Sequence, residues 1–417
     1  MLDIRFIREN PQKVQQNAVD KGYEGLSVEN LLKADERRRE LGQQVDQLRT
    51  RRNEIATQMK KVSTKPDQGL IDEGRKIKEE LAELEGDLRR QTDEYESLLG
   101  AFPNMIFEDV PIGDEDGSVE VRQWGEQTAG GVDHLEFALK RDWVDFERGA
   151  KVAGAKFYYL KGDLALLESA ITQYAIDKLV DKGFTYMTVP HMVNQRTMTG
   201  TGFAPRTSDQ SDEYSIEGED LSLIATAEIP LTGYHADEII DEERLPMFYA
   251  GLSPCYRKEA GAAGKHTRGL FRVHQFNKVE MYAYALPEKS QEVHEKLLGI
   301  EEEIWQELGI PYRIINIASG DLGAPAAKKY DIEYWSPIDQ MCRELTSCSN
   351  CTDFQARNLN IRVRRKDGSV EVLHTLNGTA VSLARSLVAI IEHYQTEDGR
   401  LGIPDALQSY MRGREVI

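Results

Sequence analysis

Between Leu31 and Val62, apolar residues return at alternating intervals of three and four. They are Leu31, Ala34, Leu41, Val45, Leu48, Ile55, Met59 and Val62, with Arg38 and Arg52 filling two seam positions. A stripe of that period runs along one face of a helix and needs a second helix to cover it. Lys65-Pro66-Asp67-Gln68-Gly69 interrupts it, because proline and glycine cannot continue a helix cheaply. A second seam follows at Leu70, Gly74, Ile77, Leu81, Leu84, Leu88, Gln91, Tyr95 and Leu98. Two seamed helices joined by so short a turn must run antiparallel. The spacing therefore predicts an N-terminal antiparallel coiled-coil hairpin, each arm on the order of 50 Å long at about 1.5 Å per residue. So thin a seam cannot serve as a core, so the arm should project from a larger body.

The 417 residues leave room for that body, and suggest two or three domains. The net charge of −19 argues against a nucleic-acid binder, since phosphate needs a cationic surface. The sign reverses near the arm's tip, where Arg49, Arg51, Arg52, Lys60, Lys61 and Lys65 share the segment with one acid, Glu54. Two readings stay open there: a solvated helical face, or a phosphate-contacting patch on an acidic protein. Four cysteines are too few for a disulfide scaffold of this length and fit a reducing compartment. Cys348 and Cys351 form a single C-x-x-C, short of the four ligands a structural zinc usually takes. They read as buried or incidental thiols, with zinc as the alternative. Met1 to Asn10 has no apolar run of signal-peptide length, and nothing approaches the roughly 20 apolar residues of a membrane span. A soluble, cytoplasmic protein is the expectation.

The breaker cluster Gly100-Ala101-Phe102-Pro103-Asn104 marks a boundary, giving domains 1–105 and 106–417. The second reads as α+β. Asp163 to Lys182 has a helical apolar face, with Asp163 as N-cap and Gly183 as C-cap. Phe184 to Val189 is β-like and is stopped by Pro190. Met247 to Tyr256 and Phe271 to Tyr284 read as the strands of a long hairpin around the glycine-bearing loop Ala260 to Gly269. Alternation places Arg257 with Glu259 on one face, and Arg272, His274, Phe276, Lys278 and Glu280 on one face of the returning strand. That is a set for phosphate, a flat ring and an amino group; an exposed face with scattered ion pairs is the alternative. Thr226 and Glu228 share a side if Thr226-Ala227-Glu228 is extended. Val370 to Leu376 reads as a strand that turns at Asn377-Gly378-Thr379 into a helix from Ala380 to Tyr394. Thr379 then suits an N-cap, and Arg385, among apolar neighbours, needs a partner or a ligand.

These residues, in this order, resemble the class II aminoacyl-tRNA synthetases. That class has a helix and strand ending in proline (Asp163 to Pro190), then R-x-E, a loop and R-x-x-x-F (Arg257, Glu259, Arg272, Phe276), then a strand and helix with a late arginine (Arg385). Thr226-Ala227-Glu228, the run from Pro254 to Glu280 and the string from Cys348 to Arg357 narrow the likeness to the bacterial-type seryl-tRNA synthetases. The resemblance spans essentially the whole chain. One departure is Thr379, where many relatives carry serine; the hydroxyl is kept.

The resemblance implies an antiparallel β-sheet domain flanked by helices, behind a tRNA-binding arm. It implies that Arg257 holds the α-phosphate, that Glu259 meets the adenine amino group, and that Phe276 and Arg385 sandwich the ring. Arg272 and Arg385 would reach the terminal phosphate. Lys258, Val273, Leu345 and Thr346 would join the ATP contacts, and Glu344 and Ser347 would hold Mg2+. Thr226, Ala227, Glu228, Glu280 and Thr379 would form the L-serine pocket. Arg49, Arg51, Arg52, Lys60, Lys61 and Lys65 would be the tRNA contacts. The implied partners are tRNA(Ser), tRNA(Sec) where an organism has it, and a second copy of the chain, with no membrane. Two other readings compete: a synthetase-like enzyme with another acceptor, whose known relatives lack a long arm, and a coiled-coil scaffold with a dead catalytic domain, which predicts gaps in the pocket set. The arm argues against the first and the intact set against the second.

Overall fold

The structure, a computed structural model, describes residues 1–61, 68–203, 212–259 and 269–417. The chain separates into two compact units, Met1–Pro103 and Asn104–Ile417. Among the described residues, no helix is long and apolar enough to cross a membrane.

In the first unit, helices α1 (Val28–Lys61) and α2 (Gln68–Ala101) pair along the heptad seam, each of 34 residues. Leu31, Leu41, Val45 and Ile55 of α1 are buried, as are Ile77, Leu81 and Tyr95 of α2. The second seam ends one residue later than the spacing predicts, with Leu99 buried and Leu98 half-buried. Arg38, a cation at a core position, is accommodated locally. Its guanidinium lies 4.3 Å from the centre of the Tyr95 ring and pairs with the buried Asp35 at 3.1 Å. Asp35 also takes Arg8 at 2.6 Å, so the seam's buried charge is paired. The break predicted at Lys65 to Gly69 falls mostly outside the described residues.

The second unit is built on an eight-stranded sheet. Its strands are β1 (Val119–Trp124), β2 (Thr185–Thr188), β3 (Met247–Tyr256), β4 (Gln275–Ala285), β5 (Tyr312–Asn316), β6 (Lys328–Ser336), β7 (Met341–Asn350) and β8 (His374–Ser382). Their order across the sheet is β1-β5-β6-β7-β8-β4-β3-β2, all antiparallel except β2 on β3. Alternation along β4 divides the interior. Val279, Met281, Ala283 and Ala285 enter one core, and Tyr282 and Tyr284 enter the other. The larger core takes helices α3 (Gly162–Asp181), α4 (Ser290–Glu307) and α5 (Leu383–His393), through residues such as Leu167, Leu297 and Leu387. Each such fully buried side chain contributes roughly 1.5–3 kcal/mol.

Two local expectations are corrected. Helix α3 begins at Gly162 with Lys161 at the cap position, so Asp163 is not its N-cap; the Asp163 carboxylate accepts instead from Arg414 at 2.7 Å. The turn expected at Asn377-Gly378-Thr379 is absent, because these residues continue β8, and α5 starts only at Leu383. Asparagine and glycine favour turns by local propensity, but here both flanking strands pair with this stretch.

Candidate active site

The β3–β4 hairpin carries the densest chemistry. Cys255 stands opposite Phe276 and Ser253 opposite Lys278. The backbone continues the pairing past the strand end, with the Arg257 N–H donating to the His274 carbonyl at 3.0 Å. Arg257 thereby lies beside Phe276, its guanidinium 5.2 Å from the ring centre. Glu259 has left-handed backbone, φ 53°, and its buried carboxylate pairs with Arg272. The loop residues Ala260 to Arg268 lie outside the described residues.

Arg257, Glu259, Arg272, Val273, Phe276 and Lys278 line one side of a cleft of roughly 560 Å³, counting its open mouth. Glu344, Leu345, Thr346 and Ser347 of β7, Thr379 of β8 and Arg385 of α5 line the rest. Residues far apart in sequence thus meet because β4, β7 and β8 are neighbours and α5 leaves the end of β8. The Arg385 guanidinium pairs with Glu344 at 2.8 Å and sits 5.0 Å from the Phe271 ring centre. Desolvation in the cleft opposes ionisation of Glu344, but Arg385 and Lys329 outweigh it and hold the carboxyl at about 2. Thr346 spends its hydroxyl away from the cleft, donating to Glu301 of α4 at 2.8 Å.

Deeper along β4, Glu280 is buried and pairs with Lys278. The Thr226 hydroxyl donates to the same Glu280 oxygen, Oε2, at 3.2 Å. Burial raises the Glu280 carboxyl against the pull of Lys278. Thr226-Ala227-Glu228 is not extended: Glu228 opens the short helix Glu228–Gly233, and its N–H donates to the Thr226 hydroxyl at 3.2 Å. Both side chains still act on Glu280, Thr226 by a hydrogen bond and Glu228 by charge. Burial pushes the Glu228 carboxyl up to about 7, and Glu280 adds to the rise. The result is a buried polar well of two carboxylates, a lysine and hydroxyls.

Two expected site residues point elsewhere. Lys258 does not line the cleft; its ammonium lies 5.7 Å from the Tyr214 ring centre. His274, grouped by alternation with Phe276, precedes β4 and turns its ring to the Arg257 carbonyl at 2.9 Å and to Phe157. Sequence reasoning gave no role to Phe271, Gln355, Asn377 or Glu301. Gln355 and Asn377 carried little signal, since each sits among polar neighbours, Thr352-Asp353-Phe354 and Thr375-Leu376 before them and Arg357 and Gly378-Thr379 after. Glu301 carried none, as it sits among the other acids of α4.

On the arm, the basic segment is partly neutralised across the hairpin. Arg49 pairs with Glu85 at 2.8 Å, and Arg51 pairs with Glu73 at 2.7 Å and Glu54 at 3.1 Å. Glu54 is therefore not the acid that these arginines mainly face. Among the described residues, Arg52 and Lys60 form no ion pair and are exposed. Lys65 lies outside the described residues.

Comparison with known proteins gives the same answer at both ends of the chain. Residues 1–106 match the seryl-tRNA synthetase N-terminal domain, and residues 212–394 match the class II tRNA synthetase core domain (G, H, P, S and T). A serine–tRNA ligase of Dictyoglomus turgidum is 46% identical over 100% of this chain and 99% of its own length. One from Rubrobacter xylanophilus is 45% identical over the same shares. The crystal structure of seryl-tRNA synthetase from Pyrococcus horikoshii complexed with ATP superposes with a TM-score of 0.90 at 41% identity, covering 100% of this chain and 99% of that one. Heptad arm, hairpin cleft and full-length likeness agree: the chain belongs to the seryl-tRNA synthetase family of the class II aminoacyl-tRNA synthetases.

Proposed function

We infer that this chain is a serine–tRNA ligase: it activates L-serine with ATP and transfers the seryl group to tRNA(Ser). The observation that carries the reading is the buried Thr226–Glu280–Lys278 cluster lying beside an arginine-lined cleft. In the first step a serine carboxylate oxygen attacks the α-phosphorus and pyrophosphate leaves. In the second, a terminal ribose hydroxyl of the tRNA attacks the seryl carbonyl and AMP leaves. Both are displacements between bound groups, so positioning and charge stabilisation carry the catalysis.

Arg257 and Arg272 supply cations for the phosphates, and Phe276 with Arg385 bounds the adenine. Glu259 accepts from the adenine amino group. Thr226, Glu228, Glu280 and Thr379 form the serine pocket. Their buried acceptors favour a ligand that donates from both an ammonium and a hydroxyl, and alanine would leave them unpaired. Glu344, held ionised, and Ser347, whose hydroxyl has no hydrogen bond among the described residues, are hard oxygen donors on one strand. They fit Mg2+, which is commonly held by one or two carboxylates plus substrate phosphates. A Mg2+ there would neutralise phosphate charge.

The N-terminal arm is the tRNA-binding element, and the second unit carries catalysis and dimerisation. The homodimer would use α3 and the sheet-edge strand β2, where Leu166 and Val180 are exposed. tRNA(Sec) would be a further substrate where the organism has one, and the site of action is the cytoplasm. The test is Glu280→Gln. Serine-dependent ATP–pyrophosphate exchange should collapse while the fold is kept; near-normal exchange removes Glu280 from the pocket.

A further inference from the structure

Behind the serine pocket lies a chain of buried amides with no contact to the cleft. Gln355 is fully buried at the start of the short helix Phe354–Asn358. Its Oε1 accepts from the Tyr282 hydroxyl at 3.0 Å and the Thr375 hydroxyl at 2.7 Å. Its Nε2 donates to Glu228 Oε1 at 2.7 Å and to the Thr201 carbonyl at 3.0 Å. The Thr201 carbonyl and the Glu228 carboxylate fix which way the amide faces, because a flipped Gln355 would set its oxygen against both; the two hydroxyls then donate to Oε1. Asn377 Nδ2 donates to the same Glu228 Oε1 at 2.9 Å. Glu228 Oε2 has no hydrogen bond among the described residues.

We propose that Gln355, with Asn377, is a positioning pair that saturates one oxygen of Glu228 so that the other is presented to the amino acid. The proposal rests on the reading of Thr226, Glu228 and Glu280 as the serine pocket. It explains why a polar network that leaves Glu228 Oε2 unbonded among the described residues sits in an otherwise apolar layer of Tyr282, Tyr284 and Ala356. Two amide donors also favour the ionised carboxylate, against burial and the neighbouring Glu280. The other charged groups acting on Glu228 are Lys278 and Arg257, both of which favour its ionised form.

The test is Gln355→Ala in the full-length protein, read by serine-dependent ATP–pyrophosphate exchange. Loss of a hydrogen bond to a charged group should raise the serine KM about tenfold and leave the ATP KM unchanged. The pH at which serine kcat/KM reaches half its maximum should move up, because the carboxylate has lost a donor. An unchanged serine KM, or equal rises in both KM values with an unmoved pH profile, overturns the proposal. If Gln355→Ala does not fold, Tyr282→Phe removes one of the two hydroxyls that hold Gln355 Oε1 in place. It should raise the serine KM by less, in the same direction, and no rise overturns the proposal. Glu228→Gln, run alongside, separates the two layers. Loss with Glu228→Gln but not with Gln355→Ala ends the positioning role and leaves the pocket; no loss with either ends both.

Discussion

Gly378 lies so close to Glu301 that a β-carbon on it would stand 2.9 Å from Glu301 Oε1. Met281 Cε would stand 3.1 Å from the same β-carbon, and Glu301 is fully buried with its other oxygen held by Thr346, so a methyl group at 378 has little room. Gly378→Ala should destabilise the fold by about 1–3 kcal/mol through overpacking and weaken serine-dependent exchange. A thermal melt paired with an exchange assay checks this; an unchanged melting temperature would refute it.

Glu301 itself should limit stability at neutral pH. It is fully buried, its Oε1 has no hydrogen-bond partner among the described residues, and burial raises its carboxyl well above the ordinary carboxylate range. The folded state holds this proton where the unfolded chain has released it, so stability falls as pH rises above about 4.5. Glu301→Gln removes that dependence and keeps the contact with Thr346. The variant should melt higher than the parent at pH 8, and the difference should shrink on acidification toward pH 4.5. A gap that is constant with pH would contradict the assignment.

Such features separate what the sequence makes legible from what it does not. The heptads located both arm helices, because one stripe of apolar residues leaves a helix few ways to pack. Strand β3 runs from Met247 to Tyr256, as its bounding residues predict. Asn377-Gly378-Thr379 misled because turn propensity is local, whereas Glu301 makes its demand across 77 positions (378 − 301). An extended Thr226-Ala227-Glu228 is what alternation predicts, whereas Glu228 opens a short helix and still acts on Glu280 by charge, beside the Thr226 hydroxyl that bonds to it. The acids that meet Arg49 and Arg51 depend on the register between α1 and α2. No single-helix pattern contains that register.

The arm's cations should therefore not be equivalent. Arg49 and Arg51 are held by Glu85 and Glu73, while Arg52 and Lys60 have no ion pair among the described residues. The double variant Arg52→Ala/Lys60→Ala should weaken tRNA binding and flatten its log–log salt slope by about 1–2. Arg49→Ala/Arg51→Ala should change the slope less. Filter binding across a salt series checks both, and equal slopes for the two doubles would contradict the distinction.

Glu344 should stay ionised throughout the working range, since Arg385 and Lys329 keep its carboxyl at about 2. Its folded value is depressed, so any stability it lends is present above the ordinary carboxylate range and is lost as pH falls toward 2. Glu344→Gln should raise the Mg2+ concentration needed for half-maximal exchange and leave the pH profile between 6 and 8 unmoved. A Mg2+ titration of the variant that overlays the parent would remove Glu344 from the metal site.

The central claim is that the well formed by Thr226, Glu228 and Glu280 is built for serine. ATP–pyrophosphate exchange, run with each standard amino acid in turn, tests it most directly. Serine should support exchange far above every other amino acid, alanine and threonine included; another amino acid exceeding serine, or no exchange with serine, would contradict it.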